Sequence, residues 1–165
     1  MLGRDTMAYM RQDQRDDELM HLAQIKNDTL WFSFAMQELV ARVQDWLCGS
    51  GFRMRSAVIP VQDESIQLWP NSPPSYYNAS TLLLRKQNLK VRIIPLRIYG
   101  EAGSRGRAIL EAIDPNGLIF DRRYILSLVR DTSCWTIRIA DHLQIRAVPL
   151  SKETFNLALS SLNHR

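Results

Sequence analysis

The sequence predicts an α+β fold in which a twisted, meander-rich antiparallel β-sheet packs its apolar face against an N-terminal helix and a short C-terminal helix. Between Thr81 and Leu150, short segments of alternating apolar and polar residues follow one another across short turns, which favours antiparallel hairpins. Helical spacing of apolar residues occurs near the two ends of the chain. A chain of 165 residues suits one domain of this kind.

The first residues differ in character from the rest of the chain. Residues 1–15 are polar and are predicted to form a flexible segment, so the single α+β domain is expected to span residues 16–165. A short apolar stripe follows. Asn27-Asp28-Thr29 is predicted to interrupt it, with Asp28 as the N-cap of the next helix.

That next helix has the clearest pattern, because its apolar residues fall at steps of four, three, four and three, on one helical face. They are Phe32, Met36, Leu39, Val43 and Trp46. Gly49-Ser50-Gly51 is predicted to end the helix. Trp31 and Phe34 lie off the stripe and widen the apolar face. Either the helix is clamped between the sheet and another element, or Trp31 and Phe34 form a partner-binding face.

The predicted strands begin after this helix. Phe52–Val61 and Ser65–Trp69 are predicted to pair, with Arg53 and Arg55 as a basic pair on one strand face. Pro70–Ser80 contains three prolines and is predicted to be a long surface loop. The later strands are predicted at Thr81–Arg85, Leu89–Tyr99, Arg107–Ile113, Leu118–Asp121, Tyr124–Arg130, Cys134–Ala140 and Leu143–Val148.

The C-terminal helix is predicted from its cap and its apolar spacing. Ser151 is a good N-cap residue, and Phe155, Leu159 and Leu162 mark one face of the helix that follows.

Charge is distributed unevenly along the chain. Residues 1–50 hold five basic and eight acidic residues, a net charge of −3, whereas residues 51–165 hold sixteen and nine, a net charge of +7. Arginine outnumbers lysine seventeen to four. Arginine binds carboxylate and phosphate groups through planar, two-pronged contacts, which lysine does not make. The alternative explanation of this excess is codon bias together with a solvated charged face.

Arginine is concentrated on the polar side of the predicted sheet. Arg130, Arg138 and Arg146 recur at steps of eight, which in a tight meander favours one lateral row on that face. Like charges placed directly opposite one another repel, so such a row needs an anionic partner or nearby carboxylates. We expect nearby carboxylates to pair with it, because acidic residues are interleaved there. The candidates are Asp131, Asp141 and Glu111.

Arg105 is a further candidate for anion binding. It lies in the segment Gly103-Ser104-Arg105-Gly106, where backbone N–H groups and the guanidinium can surround an anion. The alternative is a flexible turn without a ligand, because the segment that follows has a strand pattern rather than the helix of a phosphate-binding loop.

No catalytic residue, metal site or cofactor is predicted. The phosphate-loop pattern GxxxxGK[ST], the CxxC pattern and a lysine two residues after a carboxylate are all absent. Cys48 and Cys134 cannot make a disulfide framework and are expected to be small core residues in a reducing compartment. No apolar run reaches the roughly 20 residues of a membrane span. A cytoplasmic protein without a membrane partner is therefore expected.

These observations favour a non-enzymatic protein-binding accessory or adaptor module whose partner is another protein. The first alternative is a protein that binds nucleic acid or another polyanion through an arginine-rich sheet face. The second is an enzyme with an unrecognised active site. A homo-oligomer is compatible with all three hypotheses. No motif in the chain identifies a family.

Overall fold

The structure is a computed structural model that describes residues 3–66, 75–114, 116, 119–142 and 144–163. A long helix comes first, seven strands follow, and a short helix ends the fold. The elements are α1 (Gly3–Trp46), β1 (Arg53–Asp63), β2 (Ser75–Lys86), β3 (Leu89–Arg97), β4 (Ser104–Ile113), β5 (Ile119–Val129), β6 (Trp135–Ile139), β7 (Val148–Pro149) and α2 (Lys152–Asn163). The strands lie in one sheet in chain order, and each neighbouring pair is antiparallel. The predicted α+β meander is confirmed.

One face of the sheet packs against both helices and forms the core. In the predicted stripe of α1, Trp46 is half-buried, and Phe32, Met36, Leu39 and Val43 are inaccessible to solvent. Phe155 of α2 is equally buried and lies 5.8 Å, ring centroid to ring centroid, from Trp46. Ser151 caps α2 as predicted, because the Thr154 backbone N–H donates to its Oγ at 3.2 Å.

Helix α1 is continuous over 44 residues, so the predicted break at Asn27-Asp28-Thr29 is wrong. Asp28 lies three residues after Ile25 and four before Phe32, on the side that faces the sheet, and it is buried. Its carboxylate has partners from other elements, so it does not need to cap a helix. The helix extends back to Gly3, and the side chains of residues 7–24 are exposed. The flexibility expected of residues 1–15 stays a prediction.

The partner of β1 differs from the prediction. Residues 67–74 lie outside the described part of the chain, and the described portion of Ser65–Trp69 is not a strand. The strand that pairs with β1 is β2, which includes Ser75–Ser80 of the predicted loop. All three prolines of that loop precede Ser75. From there Tyr77 and Ala79 alternate onto the core face and are buried, which favours a strand.

Three further expectations are corrected at the other end of the sheet. The predicted strands Leu118–Asp121 and Tyr124–Arg130 are joined in one strand, β5, which ends at Val129, so that Arg130 lies in the turn that follows. Leu118 lies outside the described residues. Leu143–Val148 is not a strand over its described part, because residues 144–148 are exposed and only Val148 joins the sheet. Cys48 and Cys134 are exposed rather than in the core, because each lies just beyond the end of an element.

None of the described helices combines the length and the apolar composition that a membrane-spanning helix requires.

Candidate functional site

The sheet face turned away from the two helices, called the open face below, carries most of the strand arginines. Leu82, Leu84 and Val91 are buried in the core. Successive strand residues point to opposite faces, so Arg85 and Lys90 project from the open face. Residues opposite one another on neighbouring strands share a face. The register places Arg53 opposite Arg85, and Arg85 opposite Lys90.

Arg53, Arg85 and Lys90 therefore form one row across β1, β2 and β3, and Arg55 lies two residues along β1 on the same face. We call these four residues the cationic cluster. Among the described residues, none of the four lies within ion-pair distance of a carboxylate. Like charges opposite one another on neighbouring strands are destabilising. The cluster is thus a concentration of positive charge without a carboxylate to balance it.

The rest of the open face is closer to neutral, because carboxylates are paired with its arginines. Glu111 is almost completely buried, and its Oε1 accepts from Arg92 Nε at 2.7 Å. Glu101 lies between two arginines. The ion pairs of this region are Arg92–Glu111, Arg107–Glu101, Arg123–Asp141 and Arg138–Glu101. Of the three carboxylates expected to pair with the predicted row, Glu111 and Asp141 bind other arginines instead, and Asp131 forms none of these ion pairs.

Arg130, Arg138 and Arg146 do not form a row. Arg138 lies on β6 opposite Ile125, whereas Arg130 lies in the turn after β5, five residues further along and roughly 17 Å away at 3.3–3.4 Å per residue. Arg146 precedes β7 outside the sheet. Only 16% of the Arg138 side chain is exposed, and its Nη2 lies 3.8 Å from Glu101. The predicted row was wrong because residues 144–147 of the predicted last strand lie outside the sheet.

Strand β1 is an open edge of the sheet. It spans 11 residues and pairs with β2 alone among the described strands. Every residue from Arg53 to Gln62 is exposed or half-buried, and Val58 is 68% exposed. An edge strand presents a series of unpaired backbone N–H and C=O groups. The cationic cluster lies directly beside this edge.

A second polar site joins α1 to the sheet around Asp28. Its Oδ2 accepts from the Tyr99 hydroxyl at 2.6 Å, and its Oδ1 accepts from Gln24 Nε2 at 3.0 Å and from Arg105 Nη2 at 3.4 Å. The Arg105 guanidinium lies over the Trp31 ring, 4.6 Å from its centroid. Arg105 therefore already has an anionic partner within the chain, and it does not depend on an external anion.

Asp63 is a second buried carboxylate, connected to the first. It accepts from the Ile98 backbone N–H at 2.8 Å, from the Tyr77 hydroxyl at 3.3 Å and from the Ser65 hydroxyl at 2.6 Å. Ser65 Oγ in turn accepts from the Tyr99 backbone N–H at 3.0 Å. Burial, reinforced by the neighbouring carboxylates, raises the pKa of both tyrosine hydroxyls, so they remain neutral donors. These bonds fix the ends of β1 and β3 to each other.

A cleft of about 820 Å³ adjoins Asp28, between α1 and the strand ends. It brings together side chains of both charges. Its polar lining includes His21, Gln24, Asp28, Glu64, Tyr99 and Arg130. Within the described part of the chain, no group of three or more His, Cys, Asp or Glu side chains is placed to hold a metal ion. Asp28 is engaged by donors from this chain, so its evident role is to hold α1 on the sheet.

The outward side of α1 is apolar near its middle. Phe34 is 57% exposed and Leu30 is 63% exposed. No other described element covers them, so the expected clamp between two layers is not seen there. Trp31, which was predicted to act with Phe34, is covered on one face by Arg105.

Compared with protein-family models, with curated proteins and with solved structures, the chain matches none of them.

The sequence pattern did not predict the buried position of Asp28 on the sheet side of α1, or the extent of the cationic cluster. Asp28 interrupts the apolar stripe of α1 at a sheet-facing position, and a carboxylate there needs partners from another element. Arg53 and Arg55 were recognisable as a basic pair. Their proximity to Arg85 and Lys90 depends on the pairing of β1 with β2. The loop that was predicted over Ser75–Ser80 concealed this pairing.

Proposed function

We propose that the protein is a non-enzymatic protein-binding module that binds its partner along strand β1. The supporting observation is the edge itself: 11 residues of regular strand, exposed along nearly their whole length, with one side unpaired in the described structure. An extended segment of a partner can add to such an edge through backbone hydrogen bonds, which is an established mode of peptide recognition.

The state of the buried carboxylates also favours a binding role over an enzymatic one. Asp28 and Asp63 each accept several hydrogen bonds from within the chain. A general base must have a free lone pair within reach of a substrate proton. Groups held by so many internal donors are better suited to fix the fold than to transfer protons.

We place the protein in the cytoplasm. Cys48 and Cys134 are both free thiols on the surface, and surface thiols persist in a reducing compartment.

Site-specific photo-crosslinking in the native host tests this proposal. A benzophenone side chain is placed at Val58, on the edge, and in a matched variant at Leu157, which is similarly exposed on α2. A covalent adduct of defined mass should form from position 58 and not from position 157. Adducts from both positions alike, or from position 157 alone, would show that β1 is not the binding edge.

Nucleic acid is the second candidate partner, and the in-register row Arg53, Arg85 and Lys90 is the observation that favours it. Duplex binders typically neutralise about 6–10 phosphates. The cluster is smaller than that, and the positive charge of the open face beyond it is partly balanced by Glu111 and Glu101. We therefore expect weak or no binding of nucleic acid near physiological salt. Sub-micromolar, salt-sensitive binding that an Arg53→Gln/Arg85→Gln variant abolishes would reverse this preference.

A further inference from the structure

We infer that the segment which adds to β1 is acidic and extended, with carboxylates on the side that faces the cationic cluster. This inference rests on the proposed function and specifies the partner's chemistry. It combines the direction of the backbone groups on β1, the position of the cluster relative to the edge, and the exposed apolar residues at the middle of the strand.

The backbone groups available on the edge follow from Pro60. Proline has no N–H and is tolerated in an edge strand where that position faces solvent. Along a strand, alternate residues direct their N–H and C=O groups to the same side. Met54, Ser56 and Val58 lie an even number of residues from Pro60. Their backbone N–H and C=O groups therefore point away from β2, to the open edge. The Ala57 carbonyl points to β2, since it accepts from Thr81 Oγ1 at 3.2 Å, which agrees with this phase.

The charge of the ligand follows from the open face. A strand added to β1 lies about 4.8 Å away, so its side chains on the open face come to lie opposite Arg53 and Arg55. Arg85 is one strand further in, within reach of long side chains. A carboxylate at either position relieves the repulsion between cations that have no ion pair within the described chain. A lysine or arginine there would add to the repulsion.

The apolar residues set the rest of the pattern. Ala57 follows Arg53 and Arg55 on the open face, whereas Ile59 lies opposite the buried Ala79 and is 37% exposed. Val58, between them, is 68% exposed. A segment with its carboxylates on the open face, beside Arg53 and Arg55, and its apolar side chains on the opposite face, beside Met54, matches this part of β1. Alternation of acidic and β-branched residues gives that pattern with one strand register.

The test measures binding of two labelled peptides to the full chain by fluorescence anisotropy. One peptide alternates Glu and Val, and the other alternates Lys and Val. The Glu peptide should bind roughly tenfold or more tightly than the Lys peptide, since cross-strand charge pairs differ in sign between them. Equal binding of both peptides overturns the acidic specificity and leaves the edge-binding proposal intact. If the Glu peptide does not bind at up to about 1 mM but position 58 still forms a crosslink, the inference of an acidic ligand is overturned and the edge-binding proposal stands.

Two variants separate the charge contribution from the strand contribution. Arg53→Gln/Arg85→Gln should weaken binding of the Glu peptide by roughly tenfold. Arg11→Gln/Arg15→Gln removes the same charge from exposed positions on α1 and should leave affinity unchanged. Equal losses in the two double variants would show that net charge, and not the cluster, attracts the peptide.

Val58→Pro removes one outward N–H and, by the precedent of Pro60, preserves the pairing with β2. It should weaken binding of the Glu peptide by roughly tenfold or more, while the unfolding temperature stays close to that of the parent chain. Two N-methylated peptides provide a check without any change to the protein. Strand addition requires that methylation of the valine amides and of the glutamate amides have different effects, because these amides point to opposite edges. Equal effects, with affinity unaltered in Val58→Pro, would mean that acidic peptides bind only by charge.

Discussion

The Tyr99 hydroxyl donates to Asp28 Oδ2 across 2.6 Å, and this contact joins α1 to the chain just after β3. The same carboxylate also accepts a hydrogen bond from the Arg105 guanidinium of β4. Beyond this point, toward the N-terminus, the side chains of residues 7–24 are exposed. In proteins most helical stability comes from tertiary packing, so the Asp28–Tyr99 bond marks where α1 becomes part of the domain.

Tyr99→Phe should lower the free energy of unfolding by about 1–3 kcal/mol, because it leaves a buried carboxylate with one donor fewer. Tyr76→Phe is the matched control, since the Tyr76 side chain is exposed, and its effect should stay within about 0.5 kcal/mol. Denaturant unfolding of both variants measures the difference. Equal effects would show that the bond to Asp28 contributes little.

Stability should fall at alkaline pH. Burial raises the pKa of the Tyr77 and Tyr99 hydroxyls above the ordinary value of 10.0. Above pH 10 the unfolded chain therefore releases protons that the folded chain retains, which favours unfolding as the pH rises. The stabilisation is complete below the unfolded pKa and is lost as the pH approaches the folded values. Denaturant unfolding across this range should show a shallower fall in Tyr99→Phe; an identical pH dependence would contradict this cause.

Part of this arrangement could be predicted and part could not, for physical reasons. The buried stripe Phe32 to Val43 follows from the helical period alone, which fixes one face whatever packs against it. Asp28 was predicted to be a cap because local propensity favours carboxylates at helix ends. Its partner Tyr99 is 71 residues away along the chain. Likewise, Arg53 and Arg85 are neighbours only through strand register, which depends on the full extent of β2.

Gly106→Ala should destabilise the fold by about 1–3 kcal/mol, the usual cost of overpacking a core. A β-carbon at Gly106 would lie against the Phe32 ring, closer than van der Waals contact allows. Phe32 is fully buried, so the ring has no free space to move into. The double variant Gly106→Ala/Phe32→Leu should cost less than the sum of the two single variants, since the smaller side chain makes room. Additive costs in denaturant unfolding would argue against this steric cause.

Arg85→Glu should stabilise the isolated protein by about 0.5–1 kcal/mol, because it places a carboxylate between Arg53 and Lys90 where like charges now face each other. Both neighbours gain an opposite charge from the same change. The gain should shrink as salt is added, since the side chain is exposed and exposed charges are screened.

The matched control reverses an arginine that already has a partner. Arg123 lies opposite Glu111 and near Asp141, so Arg123→Glu should destabilise the fold under the same conditions. If the cationic cluster is maintained for binding, Arg85→Glu should also weaken binding of the acidic peptide while it stabilises the free protein. Such a trade-off between stability and binding is typical of functional surfaces. A stability gain without any loss of peptide affinity would separate the cluster from the proposed function, because Arg85 could then be replaced without cost to binding.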